Sequence, residues 1–168
     1  KAVDLVDKGL GDLAQPEFDR LAAENPDNYL AQYERLYSLC RQGRYDEVVK
    51  SYKKLLKHKE VTPVAYHLVG VALTKVEKRK EAAKVVKEGI KKFPDAGVLY
   101  MLAASWAYSD KDYVASIRLY NQGISRDPMF WKNYLLASKL LLQSEEFKAW
   151  GLVYAETAML LEEGHHYE

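Results

Sequence analysis

The sequence predicts an all-α protein whose helices pair antiparallel and stack as a solenoid. Three observations predict this fold class. Residues of similar type recur at a step of 34, apolar residues follow helical spacing, and Gly (9) and Pro (5) are scarce among the 168 residues. A unit of two helices cannot bury its apolar face alone, so several copies have to stack to form one core.

Aromatic and small residues carry the repeat. The clearest aromatic series runs Phe18, Tyr52, Val86, Tyr120 and Tyr154, with one aliphatic exception. A second series of three has the same step and comprises Tyr66, Tyr100 and Tyr134. Small or packing residues recur in phase at Ala14, Val48, Ala82 and Ser116, with Trp150 in the fifth place.

Each period contains two helices joined by a polar break. The breaks read "RQGRYD", "VEKRK", "SDKDY" and "QSEEF", and the periods close with "ENPDN", "HKEVTP", "KFPDAG" and "RDPMF". Proline suits these closing positions because it is tolerated at a helix start and disfavours helix in the residue before it. The expected helices are 1–9 (a remnant), 13–24, 28–42, 45–58, 63–76, 79–92, 96–109, 113–126, 130–143 and 146–162.

These residues resemble the tetratricopeptide repeat family. The segment "GRYDEVVKSYKKLL" matches the start of that family's second helix, and the next period holds Tyr66, Gly70, Leu73, Ala82 and Pro94 in register. The resemblance implies one right-handed superhelical domain over residues 1–168. Its repeats are expected near 1–28 (incomplete), 29–62, 63–96, 97–130 and 131–164. Trp150 stands where a small residue is expected, so we expect it to seal the end of the stack.

The composition argues against catalysis and against a polyelectrolyte partner. The net charge is +1, although residues 29–128 carry 19 Lys or Arg and 11 Asp or Glu while both ends are acidic. No catalytic motif and no His or Cys pair at metal-ligand spacing occurs, so we expect no enzyme activity, no cofactor and no metal. Cys40 is expected to be a small half-buried hydrophobe, with a reactive thiol as the alternative. His165 and His166 are expected to form a polar tail.

A basic stretch, "KVEKRKEAAKVVKEGIKK" at 75–92, carries eight Lys or Arg and three Glu. On a helix, one face collects Lys80, Lys84, Lys87 and Lys91. A solvated outer face explains this basic patch. The alternative is a docking site for an acidic protein, anionic lipid or nucleic acid, and the lack of interleaved aromatic residues argues against nucleic acid.

The resemblance places partner binding on the first helix of each repeat, which lines a concave groove. The groove positions that map onto this chain are Tyr33, Tyr37, His67, Val71, Met101, Ser105, Lys132, Leu135 and Lys139. Relatives that clamp a peptide carboxylate use Lys, Asn and Arg at positions where this chain has Tyr33, Tyr37, Leu68, Val98 and Leu102, so that clamp is absent. The alternative is that several of these side chains pack against neighbouring repeats.

The predicted function is a non-catalytic scaffold or adaptor that binds an apolar or helical protein segment. The alternatives are a small chaperone for secreted clients and a module that self-associates through end faces near Trp131 and Trp150. No run of about 18 apolar residues predicts a membrane span. The chain begins at Lys1, so an upstream segment is expected to be missing, and both a cytoplasmic and an exported location are open.

Overall fold

The computed structural model describes residues 11–165, which form helices and turns without a strand. The all-α fold of paired helices is therefore confirmed, and the remnant helix expected at 1–9 lies outside the described residues. The helices are α1 Gly11–Glu24, α2 Tyr29–Arg41, α3 Tyr45–Leu56, α4 Pro63–Lys75, α5 Arg79–Lys92, α6 Gly97–Ser109, α7 Tyr113–Arg126, α8 Trp131–Leu141 and α9 Lys148–His165.

The chain divides into two compact units, Lys1–Val85 and Val86–Glu168. In the first unit α1 packs on α2, α2 on α3 and α3 on α4, and α2 also contacts α4. The core of this unit includes Leu39, Val48 and Leu73, each at most 1% exposed. That residues 1–168 form a single domain with the repeat bounds given above stays a prediction.

The second unit repeats the same arrangement of neighbours. Helix α6 packs on α7, α7 on α8 and α8 on α9, and α6 also contacts α8. Ala104, Tyr120 and Ala137 form its core cluster. Ser116 is 0% exposed, and its hydroxyl donates to the Ala104 carbonyl oxygen at 3.0 Å. A small residue at this phase is needed because α6 and α7 approach closely here.

Gly123 allows a second close approach in this unit. A Cβ atom at Gly123 would collide with the Nδ2 atom of Asn133 and lie 2.9 Å from the Cβ atom of Tyr100. Asn133 is fully buried, and its Nδ2 atom donates to the Gly97 carbonyl oxygen at 3.1 Å. Gly123 therefore holds α7 against α6 and α8 by having no side chain.

Three turns between paired helices share one backbone geometry. Gly43, Glu77 and Lys111 have φ angles of 73°, 62° and 62°, and they are spaced by the 34-residue step. In each turn the next residue donates its N–H to a carbonyl five residues earlier; Arg44 to Leu39 at 2.9 Å is an example. This pattern is the Schellman motif, which suits glycine because the left-handed region penalises a Cβ atom.

The fourth turn, residues 142–147, departs from that geometry. Glu145 is next in the 34-residue step, yet its φ is not positive, and the turn instead closes with short bonds such as Ser144 N–H to the Leu141 carbonyl at 3.1 Å. Helix α8 ends at Leu141 and α9 starts at Lys148, so the expected helices 130–143 and 146–162 were each wrong at this turn by two residues.

The irregular turn shifts the register of α9 by one residue. Trp150 is 63% exposed, whereas Gly151 is buried and lies so close to α8 that a Cβ atom on it would be 2.8 Å from the Leu142 Cγ atom. Gly151, not Trp150, therefore occupies the small-residue position. Ala158, at 1% exposure, continues the buried face two helical turns later. Trp150 was expected to stand at that position and to seal the end of the stack; it does not stand there, and its side chain is exposed.

Candidate partner-binding surfaces

Three tyrosines form a ladder along α2. Tyr29, Tyr33 and Tyr37 are spaced by four residues, which places them on one face about 6 Å apart along the helix axis. The ring centroids of Tyr29 and Tyr33 are 6.1 Å apart, and those of Tyr33 and Tyr37 are also 6.1 Å apart, with interplanar angles of 25° and 15°. We call these three residues the tyrosine ladder.

Both ends of the tyrosine ladder are fixed by neighbours. The Tyr29 hydroxyl lies 2.6 Å from the Thr62 hydroxyl oxygen, and its ring lies 5.5 Å from the His58 ring. At the other end, Tyr37 packs against the core pair Ala14 and Phe18 on α1. The ladder is therefore contacted by the α3–α4 turn at one end and by α1 at the other.

Tyr33 occupies the middle of the ladder and is half-buried. Burial, followed by the nearby Glu34 carboxylate and the neighbouring tyrosines, raises the pKa of Tyr33 to about 12. Its ring contacts Tyr29 and Tyr37, and its hydroxyl forms no hydrogen bond with another described residue. A hydroxyl at the edge of an apolar surface is suited to hydrogen bonding with a partner.

The other predicted groove positions fall on two pairs of contacting helices. His67 and Val71 lie partly buried on α4, which contacts α2. In the second unit, Met101 and Ser105 lie on α6, which contacts α8. The remaining three, Lys132, Leu135 and Lys139, lie on α8.

The predicted groove residues on α6 and α8 differ in how accessible their side chains are to a partner. Met101 packs against the core cluster of its unit, and the Ser105 hydroxyl donates to the Met101 carbonyl at 2.8 Å. Lys132 and Lys139 are exposed, and the Lys132 Nζ atom lies 5.4 Å from the Trp131 ring centroid. Leu135 is partly buried. The set therefore offers two cations beside a modest apolar area.

Two positions at which relatives hold a carboxylate clamp are internal in this chain. Leu68 and Leu102 are 7% and 8% exposed, so they pack within their units. The four lysines of the basic patch, in contrast, are all exposed on α5, and the opposite side of that helix is buried at Ala82 and Val86. This geometry fits a solvated outer face, and a docking role for the patch stays a prediction.

Cys40 has the surroundings of a structural thiol. Burial raises the pKa of the Cys40 thiol to about 12. Because the thiolate is the nucleophile, we expect iodoacetamide at about pH 8 to modify Cys40 in the folded chain about a hundred-fold more slowly than in the urea-unfolded chain. Mass spectrometry of timed samples measures both rates, and equal rates would contradict the buried environment.

No group of metal-ligating side chains is found among residues 13–164, whose side chains the structure describes. Over the same residues, none of the helices combines the length and the apolar content that crossing a bilayer requires. Neither finding bears on residues outside that range.

The structure contains a cleft that the sequence did not predict. It lies in the second unit where α7 meets the irregular turn, and its volume is about 450 Å³. The lining residues are Tyr113, Val114, Ile117, Leu140, Leu141, Gln143, Ser144 and Phe147. The signal available in the sequence was the apolar residues Val114 and Phe147 beside two polar breaks, and the structure leaves them 72% and 44% exposed. We call this feature the α7 cleft.

Residues 1–60 match the family model described as tetratricopeptide repeat. This match assigns residues 1–60 to a tetratricopeptide repeat. The resemblance seen in the sequence is therefore confirmed, and with it the solenoid class of fold. Tetratricopeptide-repeat proteins are in general non-catalytic modules for protein–protein interaction, so the fold implies protein partners.

Solved tetratricopeptide-repeat structures cover nearly the whole chain. A crystal structure of MamA aligns with a TM-score of 0.68 and 17% identity over 99% of this chain and 97% of that one. MamA from Desulfovibrio magneticus RS-1 aligns at 0.66 and 18% over 97% and 92%. YrrB, a tetratricopeptide-repeat protein with an unusual peptide-binding site, aligns at 0.54 and 15% over 98% and 84%. These identities establish the fold alone, and no curated protein matches the chain by sequence.

Proposed function

We propose that the chain is a non-catalytic scaffold that binds an apolar segment of a partner protein on the tyrosine ladder and the adjoining His67 and Val71. The observation that carries this proposal is Tyr33, half-buried between two fixed rings with a hydroxyl that no described residue hydrogen bonds. Tyrosine presents a large contact area at a small cost in conformational entropy, which is why it is enriched at interaction hot spots.

The spacing of the rings in the tyrosine ladder favours a partner segment with regular secondary structure. Rings repeat every 6.1 Å along α2. Residues four apart on a helix repeat at about 6 Å, and alternate residues of an extended strand repeat at about 6.6 Å. A partner in either conformation can therefore place one side chain against each ring.

The α6 and α8 positions support a second contact of the same general kind. Lys132 and Lys139 are exposed beside Leu135, so this surface suits an apolar segment that carries acidic residues. The peptide-binding site of YrrB, which has the same fold, supports peptide binding as a role for this architecture.

The test begins with peptides selected from a random phage-displayed library on the whole chain, followed by fluorescence polarisation with the synthetic peptides. Among ladder-dependent peptides, we expect Tyr33→Ala to weaken binding about 30-fold, as loss of a hot-spot aromatic residue does. Tyr33→Phe should weaken binding only a few-fold, because the ring remains and one hydrogen bond is lost.

The matched control is Tyr45→Ala, which removes a tyrosine of the same unit that lies on α3. Binding should be unchanged in this variant, and circular dichroism should show equal helicity for all variants. Peptides that bind the Tyr33→Ala variant as tightly as the parent chain would refute the assignment to the ladder.

The chaperone role and self-association stay predictions. The exposed Trp150 gives self-association a specific surface. Sedimentation equilibrium of the chain over a wide concentration range tests self-association, because a mass equal to one chain at every concentration contradicts the self-associating module and leaves the scaffold and the chaperone.

A further inference from the structure

The α7 cleft adjoins a shallow trough that follows the same helix. Val114 and Ile117 line both features. The trough, of about 500 Å³, continues along α7 past Arg118, Asn121, Gln122 and Ser125. From Val114 to Ser125 the helix advances by about 16 Å. The apolar cleft and the trough, which share two lining residues, therefore form one continuous surface on the second unit.

The two parts of this surface differ in chemistry. The lining of the α7 cleft carries no formal charge, and its aliphatic and aromatic side chains are typical of an anchoring pocket. The trough holds one formal charge, the Arg118 guanidinium. Arg118 is exposed and forms no ion pair with any described residue. A ligand that binds in the apolar cleft should therefore carry a negative charge that can pair with Arg118.

One residue of the trough is held by a neighbouring helix. The Tyr154 hydroxyl donates to the Asn121 Oδ1 atom at 3.2 Å, which connects α9 to α7. Tyr154 itself packs against Tyr134, with ring centroids 5.6 Å apart. The residues that line the cleft and the trough belong to α7, the end of α8 and the turn after it, all within one unit.

We propose that the α7 cleft and its trough form a docking site for a partner segment with an apolar anchor side chain and an acidic side chain about one helical turn away. The anchor fills the cleft between Val114 and Phe147, and the carboxylate pairs with Arg118. A length of about 16 Å matches about three turns of a helix and exceeds what a compact apolar molecule spans. This site lies on helices other than the tyrosine ladder, so it goes beyond the proposed function.

The experiment uses the whole chain and a random-peptide phage library, with subtraction against a Val114→Lys variant. Val114 is 72% exposed, so this substitution places a charge in the cleft without disturbing the core. We expect enriched peptides that carry an aromatic residue or leucine followed by Asp or Glu. Their synthetic forms should bind the parent chain about ten-fold more tightly than Val114→Lys, the loss expected from one anchor contact.

A charge swap then tests the role of Arg118. Replacing the acidic residue of the peptide with lysine should weaken binding to the parent chain about five-fold, the upper range for an exposed ion pair. The Arg118→Glu variant should reverse that preference and bind the lysine peptide better. Such a reversal is specific to a direct pairing, since a general loss of fold weakens both peptides alike.

Two control variants separate this site from others. Leu152→Lys charges an exposed apolar residue on α9 outside the cleft and should leave binding unchanged. Tyr33→Ala should also leave it unchanged, so that failure here and failure of the ladder are distinguishable. The proposal is overturned if no peptide is enriched, if enriched peptides ignore Val114→Lys, or if the charge swap has no effect.

Discussion

Replacing Gly123 with valine should lower the free energy of unfolding by about 3 kcal/mol, because overpacking and the displacement of a buried hydrogen bond add together. The new side chain has to occupy the space of the Asn133 Nδ2 atom and lie against Tyr100. Moving Asn133 breaks its bond to the Gly97 carbonyl, which is a contact between α8 and α6. Urea titration followed by far-ultraviolet circular dichroism measures the change.

Gly164 provides the matched control, since nothing lies within 4 Å of a Cβ atom there. Gly164→Val should change the free energy of unfolding by less than about 1 kcal/mol, within the range of helix propensity alone. If Gly123→Val is as stable as Gly164→Val, α7 is not packed against Asn133 as described.

Replacing Leu73 with alanine should cost about 3 kcal/mol, the middle of the range for a fully buried leucine. Leu73 lies on α4 with 0% exposure, in the core of the first unit. The free energy of unfolding falls for two reasons. Fewer apolar groups are buried in the folded chain, and the surrounding helices fill the resulting cavity only in part. The same urea titration applies.

Leu30 is the control for this substitution because it lies on α2 in the same unit and is 62% exposed. Leu30→Ala should change stability by less than about 0.5 kcal/mol, as is usual for surface positions. Equal losses in the two variants would show that Leu73 is not a core residue.

The fold could be predicted from the sequence because its main signal is periodic. A step of 34 and helical apolar spacing located nine helices of the described range, with bounds that differ by only one or two residues in most cases. The three Schellman turns at Gly43, Glu77 and Lys111 keep that step in the backbone itself. A fixed step of 34 residues predicts the helix positions correctly wherever the turn between the paired helices has the same geometry.

The fourth turn shows why the remainder could not be predicted. It takes one additional residue before the next small position, so a count of 34 from Ser116 lands on Trp150 when the buried residue is Gly151. The residues "QSEEF" do not predict the length of the turn, because polar residues are compatible with both the Schellman turn and the irregular turn. The shift is visible only once α9 is seen to pack on α8.

The candidate sites also have some features that the sequence predicts and others that depend on tertiary packing. The resemblance to the family placed the nine groove residues on two pairs of contacting helices, and their role in binding stays a prediction. The contact of the ladder with Thr62, and the burial that raises the pKa of Tyr33, depend on tertiary packing. The α7 cleft depends on the irregular turn, which no periodic pattern encodes.

The irregular turn has a consequence for how a partner finds its position. An array of equivalent repeats offers a ligand several similar places to bind, shifted by one unit each, and a complex of that kind has no fixed alignment. Gln143, Ser144 and Phe147 come from the turn that breaks the step, and they form one wall of the α7 cleft. The three regular turns do not form such a wall, so a partner anchored in the α7 cleft has only one equivalent place to bind. We therefore expect it to bind in one alignment and with a stoichiometry of one to one.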